Sequence, residues 1–368
     1  MFSLEQQSVL ASHRPTGFDY LRIILSVAII AWHSVMVCYG AAAERPFYTG
    51  PLRPLIEFLV PSFFALSGFL VAGSLVRTEH LPTFLTLRVL RIFPALCCEV
   101  VISALLIGVL LTSLPLSEYF THPTFARYFL NILGEIQYYL PGVFEQNNSK
   151  VVNVQLWTIP YELKCYIGIS VVFLLSLHRR PMAFLCLLIA ATLVFTVMNF
   201  TYWEMHYAGR PSGRSVVWAF FWGVAIYLLR EKIPHSFSLF CGAVAATWLL
   251  LQRPETDFLA APTVAYVTVY IGLLNVRRTP VLWAGDISYG IYLYGFAIQQ
   301  ATYQLLPEFR AWHENFLISL AVASVFGYLS WKGVELPVLN QKKVVIAAVK
   351  AWTDQCVVIV RRYVRPSA

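Results

Sequence analysis

The stretch RIILSVAIIAWH carries a guanidinium, Arg22, and an imidazole, His33, at the ends of an otherwise apolar run. They are eleven positions apart, close to three helical turns, so a helix would hold both on one face about 16 Å apart. Ionisable side chains are costly inside a bilayer, so such a pair has to be partnered or used. An imidazole can take a proton from a hydroxyl as a general base, or carry an acyl group as a nucleophile. A guanidinium forks onto phosphate or carboxylate oxygens. Taken singly, each residue has a plain explanation: Arg22 snorkels to the headgroups and His33 hydrogen-bonds a neighbouring helix. On one stripe they point to a polar path along the helix.

Other residues fit such a path. RVLRIFP sets Arg88 and Arg91 one turn apart, ahead of Pro94, at the entry of the third apolar segment. Two arginines on one face make an anion cradle, or else ordinary charge anchoring at the membrane surface. QLWTIPYELKCY puts Glu162 and Lys164 in an apolar run. If that run starts near residue 154, Glu162 lies about 12 Å below its outer end, and His33 about 9 Å below that of its own helix. A carboxylate at that depth would orient the imidazole and raise its basicity. The plainer readings are a structural hydrogen bond or a pair with a nearby base. Glu57 and Glu99 are further acids in apolar surroundings. Ser67-Gly68 in PSFFALSGFLV would let two helices approach closely. Asp286 and Glu335, beside Lys332, are expected to close the last two helices by salt bridges.

The elements that must position these residues are membrane helices. The 368-residue chain is 58% hydrophobic and only 12% charged, about half the charged fraction of a soluble domain, with mean hydropathy +0.65. Its apolar segments do not alternate with period two, which excludes a barrel. Ten spans are expected, at roughly 17–39, 54–76, 92–114, 154–177, 182–202, 215–230, 236–252, 258–276, 284–306 and 315–334. With the N-terminus in the cytoplasm, sixteen loop and tail Lys and Arg fall inside and eight outside. The positive-inside rule then sets both termini in the cytoplasm. Arg53 and Arg210 count among the outer charges and Arg361, Arg362 and Arg365 among the inner ones.

The net charge of +8 is therefore topology, not a nucleic-acid surface. The tail, 340–368, reads as a basic cytoplasmic segment that either lies on anionic lipid of the inner leaflet or is disordered. The outer loop 115–153 is long enough to be functional, and 125–140 within it reads as an amphipathic or re-entrant helix. The seven cysteines lack metal spacing and read as small core residues. No metal site and no cleavable signal are expected. The sequons at Asn147 and Asn199 read as chance.

A basic cluster inside, a histidine stripe through the bilayer and an acid opposite it would suit an anionic carrier that binds inside and delivers a group outward. Acyl-coenzyme A fits in size and charge. The same residues resemble the membrane-bound acyltransferase type 3 family, which acylates sugars of surface and secreted polysaccharides. FDYLRIILSVAIIAWH is similar to the family's first-helix motif, PSFFALSGFLV to the second, RVLRIFP to its arginine pair, and QLWTIPYEL to its Leu-Trp…Glu segment. GDISYGIYLYGFAIQQ and WKGVELPVL resemble its last two helices, so the blocks run in family order over about residues 17–339.

The resemblance implies an all-α bundle over 1–339 in a bacterial inner membrane. It implies His33 as the catalytic residue with Glu162, and Arg22, Arg88 and Arg91 on the acyl-donor side. Asp19, Ser67, Tyr161, Tyr289 and Glu335, in the same motifs, are further candidates. Acetyl-coenzyme A would be a co-substrate with no tightly bound cofactor, and a saccharide or lipid-linked glycan the acceptor. Many family members carry a second histidine where this chain has Gly295, which puts more weight on His33 and Glu162. The rival classes are a proton-coupled transporter or flippase using His33 and Glu162 as a relay, and a non-enzymatic scaffold. Coenzyme A binding separates the enzyme from both.

Overall fold

The structure is a computed structural model that describes residues 2–203, 213–283 and 285–364. Arg210 and Arg365 of the charge count lie outside these residues, as do the side chains of Cys356, Arg361 and Arg362.

Apolar runs of this length satisfy their backbone groups internally by coiling, and each of the ten segments forms a helix. In chain order the principal helices are α1 (Gly17–Tyr39), α2 (Ala41–Thr49), α3 (Leu59–Thr78), α4 (Leu81–Ile102), α5 (Ile159–Leu174), α6 (Pro181–Met198), α7 (Gly213–Leu228), α8 (Phe237–Leu250), α9 (Asp257–Gly272), α10 (Ser288–Leu305), α11 (Trp312–Ser330) and α12 (Lys342–Val364). No strand occurs among the described residues. Among the described residues, five stretches are long and apolar enough to cross a membrane: Gly17–Tyr39, Arg53–Thr78, Leu81–Leu111, Pro181–Thr201 and Trp312–Asn340. Helices α7 and α8 are apolar but shorter, about 24 and 21 Å long against a hydrocarbon core of about 30 Å. Large apolar side chains such as Leu110, Val197 and Leu249 face outward, as in a lipid-facing surface.

Helices α1, α10 and α11 pack together on one side, and α3, α7 and α9 on the other. The α3–α7 contact is the tightest. A Cβ at Gly68 would collide with the Phe220 carbonyl, and one at Gly223 with that of Ala65. The close approach expected at Ser67-Gly68 is thus present, and it is reciprocal. Gly68→Leu should force the two backbones apart, and overpacking against a carbonyl has no rotamer escape. The expected result is loss of the monodisperse peak in detergent size-exclusion chromatography, whereas Gly242→Leu, where a Cβ meets nothing, should behave as wild type.

Three sequence expectations change here. The third span starts at Leu81, not near 92, capped by the His80 imidazole and by Pro82 in its first turn. Arg88 and Arg91 therefore lie about two and three turns inside helix α4 rather than at its mouth. Arg53, counted as an outer-loop charge, is 1% exposed. It makes a paired bond to Asp257 (2.9 and 2.8 Å), donates to the Leu251 carbonyl and meets Glu57 at 3.4 Å. Finally, 125–140 is not one helix. A short helix, Pro123–Tyr128, runs into a 3-10 turn, Phe129–Leu133, and the chain continues without regular structure.

That irregular chain is what enters the bundle. Asn147 donates to the Gln300 carbonyl (3.0 Å), Gln300 to the Ser149 and Val151 carbonyls, Asn153 to the Leu293 carbonyl (2.7 Å), and Thr158 meets the Tyr292 hydroxyl at 2.9 Å. From Gln300 to Tyr292 the segment descends about 12 Å along α10. Asn147, Asn153 and Thr158 are paired inside protein, as non-helical backbone at membrane depth requires, while the Gln155 side-chain amide is buried without a partner among the described residues. The Asn147 sequon is thus a buried structural contact, and Asn199 donates to the Pro254 carbonyl.

Among the cysteines, Cys38 and Cys165 are buried, Cys97 and Cys98 half-buried, and Cys186 and Cys241 exposed on apolar helices. The core reading holds for the first two and fails for the last two, which face outward. The tail forms helix α12, which rests on α4, with Thr353 at 3.5 Å from His80 Nε2.

Candidate active site

Two cavities lie back to back in the bundle. The inner one, about 160 Å³, is lined by Arg22, Arg88, Arg91, Glu162, Tyr166 and Tyr289, with Ser67 at its edge. The outer one, about 310 Å³, is lined by His33 together with a set of aromatic rings. Val60 and Tyr292 line both, so they form the wall between them. Phe63 packs on the Tyr292 ring at 5.8 Å, and Thr158 holds the Tyr292 hydroxyl. The stripe inferred on α1 is real: Arg22 reaches the inner cavity and His33, three turns on, the outer.

The arginines do not form one equal cradle. Arg91 is pinned by Asp286 at 2.5 Å and Glu335 at 3.4 Å, and stands over the Tyr289 ring at 5.8 Å. Arg22 shares Asp286 at 3.4 Å and meets Asp19 at 3.7 Å. Ser288 and Ser330 donate to Asp286 and Glu335 in turn. Arg88 bonds Ser74 at 3.3 Å, has no carboxylate within salt-bridge distance among the described residues, and keeps a buried Nε without a partner there. Arg88, which faces Tyr166 and Glu162 and stands over the Phe84 ring at 5.7 Å, is thus held less tightly by carboxylates than Arg91 and Arg22. Asp286 and Glu335 do form salt bridges, as expected, but with these arginines and not with Lys332. A π-helical turn, Trp331–Glu335, widens the helix there, so residues three apart no longer share a face. Glu335 turns inward at 1% exposure while Lys332 stays outside, near the Tyr328 ring.

Glu162 is not opposite His33. It accepts a 2.6 Å hydrogen bond from Tyr166 and faces the inner cavity. The depth estimate failed because the chain has already descended along α10 before α5 begins at Ile159, which carries Glu162 down to the level of the arginines. His33 has no hydrogen-bond partner among the described residues. Its Nδ1 is buried and unpaired, and its ring meets Phe296 edge-to-face at 5.4 Å. The carboxylate that shares the cavity of His33 is Glu44, on α2. Tyr161 lines neither cavity: it stacks edge-to-face on Trp157 at 5.8 Å and carries Lys164 over its ring. The in-membrane acid Glu99 accepts from Asn153 and Ser103, both at 2.7 Å, and so anchors the descending segment.

At Gly295, where the family resemblance implies a histidine in many members, a Cβ would sit 2.9 Å from the Ile30 side chain and 3.5 Å from Gln155 Nε2. The packing of α10 on α1 has closed that position to a large side chain. Among the described residues no cluster of three or more His, Cys, Asp or Glu is arranged to hold a metal ion.

A family model described as an acyltransferase domain matches residues 16–331, most of the chain. The chain belongs to the acyltransferase type 3 family. This acyltransferase is 24% identical over 344 residues to an O-acetyl transferase of Shigella phage Sf6, covering 88% of the chain and 96% of that protein. It is 25% identical over 315 residues to nodulation protein 10 of Rhizobium leguminosarum bv. viciae, covering 78% of the chain and 83% of the relative. No solved structure gives a significant match. With five long apolar helices, the acyltransferase is a membrane protein.

Proposed function

We propose that this acyltransferase is an O-acetyltransferase of a bacterial inner membrane, crossing it ten times with both termini in the cytoplasm. Acetyl-coenzyme A enters the inner cavity from the cytoplasmic side, and a hydroxyl of an exported or lipid-linked saccharide enters the outer cavity. The observation that carries this reading is the shared wall. A cavity with arginines for an anionic donor and a cavity with His33 meet at Val60 and Tyr292. The Arg22–His33 rise of about 16 Å matches the reach of a pantetheine arm in order of magnitude. His33 takes the proton of the acceptor hydroxyl as that oxygen attacks the thioester carbonyl. The acyl–sulfur bond breaks, and the proton passes to the departing thiolate. Glu162 and Tyr166 belong to the donor side in this scheme.

The test is transfer of label from acetyl-coenzyme A by purified protein in nanodiscs, with a crude glycan extract as acceptor. Label in the glycan, with saturable acetyl-coenzyme A binding, is the expected result. A protein that neither binds coenzyme A nor releases label would instead be a transporter using the same polar stripe.

A further inference from the structure

Helix α12 (Lys342–Val364) follows closely on the apolar stretch Trp312–Asn340 and is far less apolar than the helices that cross the membrane. Its sequence has five Lys and Arg, at 342, 343, 350, 361 and 362, against one acid, Asp354. Its first turns divide into faces. Val345, Ile346, Val349 and Thr353 are half-buried, on the side where the helix rests on α4. Val344, Ala348, Ala351 and Trp352 are exposed and share an arc of about 100°. Val344 is 73% exposed and Trp352 64%. Lys343 and Lys350, two turns apart and both exposed, flank that stripe. We propose that α12 lies in the membrane interface and binds anionic phospholipid, its apolar stripe among the acyl chains and Lys343 and Lys350 on the headgroup phosphates.

The chemistry of the three faces selects this partner. An interfacial helix combines low overall hydrophobicity, basic residues on its polar side and Trp or other large apolar residues on the opposite one. The Trp352 indole suits the headgroup level, and each lysine can lay its stem along apolar surface while its ammonium reaches the phosphates. Basic residues just beyond a span are drawn to the negative surface of a leaflet. Charge also argues against a second copy of the chain as the cover. Stripe against stripe would bring the lysines of one helix beside those of the other, whereas a phosphate surface complements them.

The seat of the helix is set by the fold. Thr353 lies 3.5 Å from His80 Nε2, and the other ring nitrogen of His80 meets the Thr83 hydroxyl at 2.7 Å and accepts from the Thr83 amide at 3.3 Å. The residue that caps α4 is thus the one that α12 touches. The helix is held against the turn between α3 and α4, at one end of the bundle and so at a membrane surface. Arg77, exposed in the last turn of α3, adds to the positive charge there. Lipid binding at this place is independent of acyl transfer; only the choice of the cytoplasmic leaflet comes from the topology proposed above.

The experiment places the full chain in nanodiscs of phosphatidylcholine, with or without phosphatidylglycerol, and follows amide hydrogen exchange of residues 342–355 by mass spectrometry. Phosphatidylglycerol should slow that exchange about tenfold or more at low salt, and high salt should reverse the effect. The double variant Lys343→Gln, Lys350→Gln should lose the dependence on phosphatidylglycerol while keeping the wild-type thermal midpoint, since both side chains are exposed. The fluorescence difference between wild type and Trp352→Phe should be quenched by lipid brominated near the headgroup. Equal exchange in the two lipids, or slowing that survives the double variant, overturns the proposal. So does protection produced by soluble coenzyme A and not by phosphatidylglycerol, or protection seen only with two copies in a disc. These readings do not involve acetyl transfer, so a protein without acyltransferase activity would leave the proposal standing.

Discussion

Replacing His33 by alanine should lower acetyl transfer by about 10³-fold while acetyl-coenzyme A still binds. The size follows from the role: a positioned base contributes two to four powers of ten. Among the described residues His33 has no hydrogen bond to lose, so the substitution should leave no orphaned partner and should not unfold the protein. The proposed donor site lies beyond the Val60–Tyr292 wall, so donor affinity should not move. Full activity in His33→Ala would exclude both a general base and an acyl-histidine at this position. Glu162→Gln is the informative companion. A dyad with His33 would make it as damaging as His33→Ala, with donor affinity intact. Its observed place among Tyr166, Arg88 and Arg91 instead predicts a higher Kd for acetyl-coenzyme A. Isothermal titration with coenzyme A on both variants separates the two arrangements.

That contrast also marks what was legible in the sequence. The helices were, because apolar segments of this length have one way to satisfy their backbone, and the Arg22–His33 stripe was, because helical periodicity is local. The depth of Glu162 was not. It depends on Asn147, Asn153 and Thr158 pulling an irregular segment down along α10, and those are contacts between residues 130 to 160 positions apart. Glu44 was missed for a related reason. In the sequence it follows the first span as one acid of an outer loop, and only the back-fold of α2 onto Trp32 turns it toward the cavity. The one local signal was Gly40, directly after the span, which ends α1 with φ +80° and lets the chain reverse. Arg53 hid its buried role in the same way, since its partner Asp257 lies 204 residues on.

The arginine pair should divide into two phenotypes. By spacing alone Arg88 and Arg91 are equivalent; by their partners they are opposites. Arg91 neutralises Asp286 and Glu335, and Glu335 is almost fully buried. Arg91→Ala would leave Glu335 without a cation and Asp286 with Arg22 alone. Breaking such a buried pair costs about 3 kcal/mol. The expected result is a thermal midpoint lowered by several degrees in nanodiscs, with activity lost through the fold. Arg88→Ala removes the hydrogen bond to Ser74 and the weaker contacts with Tyr166 and the Phe84 ring, and no salt bridge among the described residues. Its stability should stay within about 1 kcal/mol of wild type, while acetyl-coenzyme A affinity falls about 10–100-fold, the worth of a charge-assisted contact to the donor. The coenzyme A arm of the measurement decides it. If Arg88→Ala binds the donor as wild type does, the Arg88 guanidinium serves the fold and the anion is held elsewhere. If Arg91→Ala is stable and loses only donor affinity, then Asp286 and Glu335 are charge partners that step aside when the phosphates arrive, and the inner cavity closes around its donor by exchanging one set of oxygens for another.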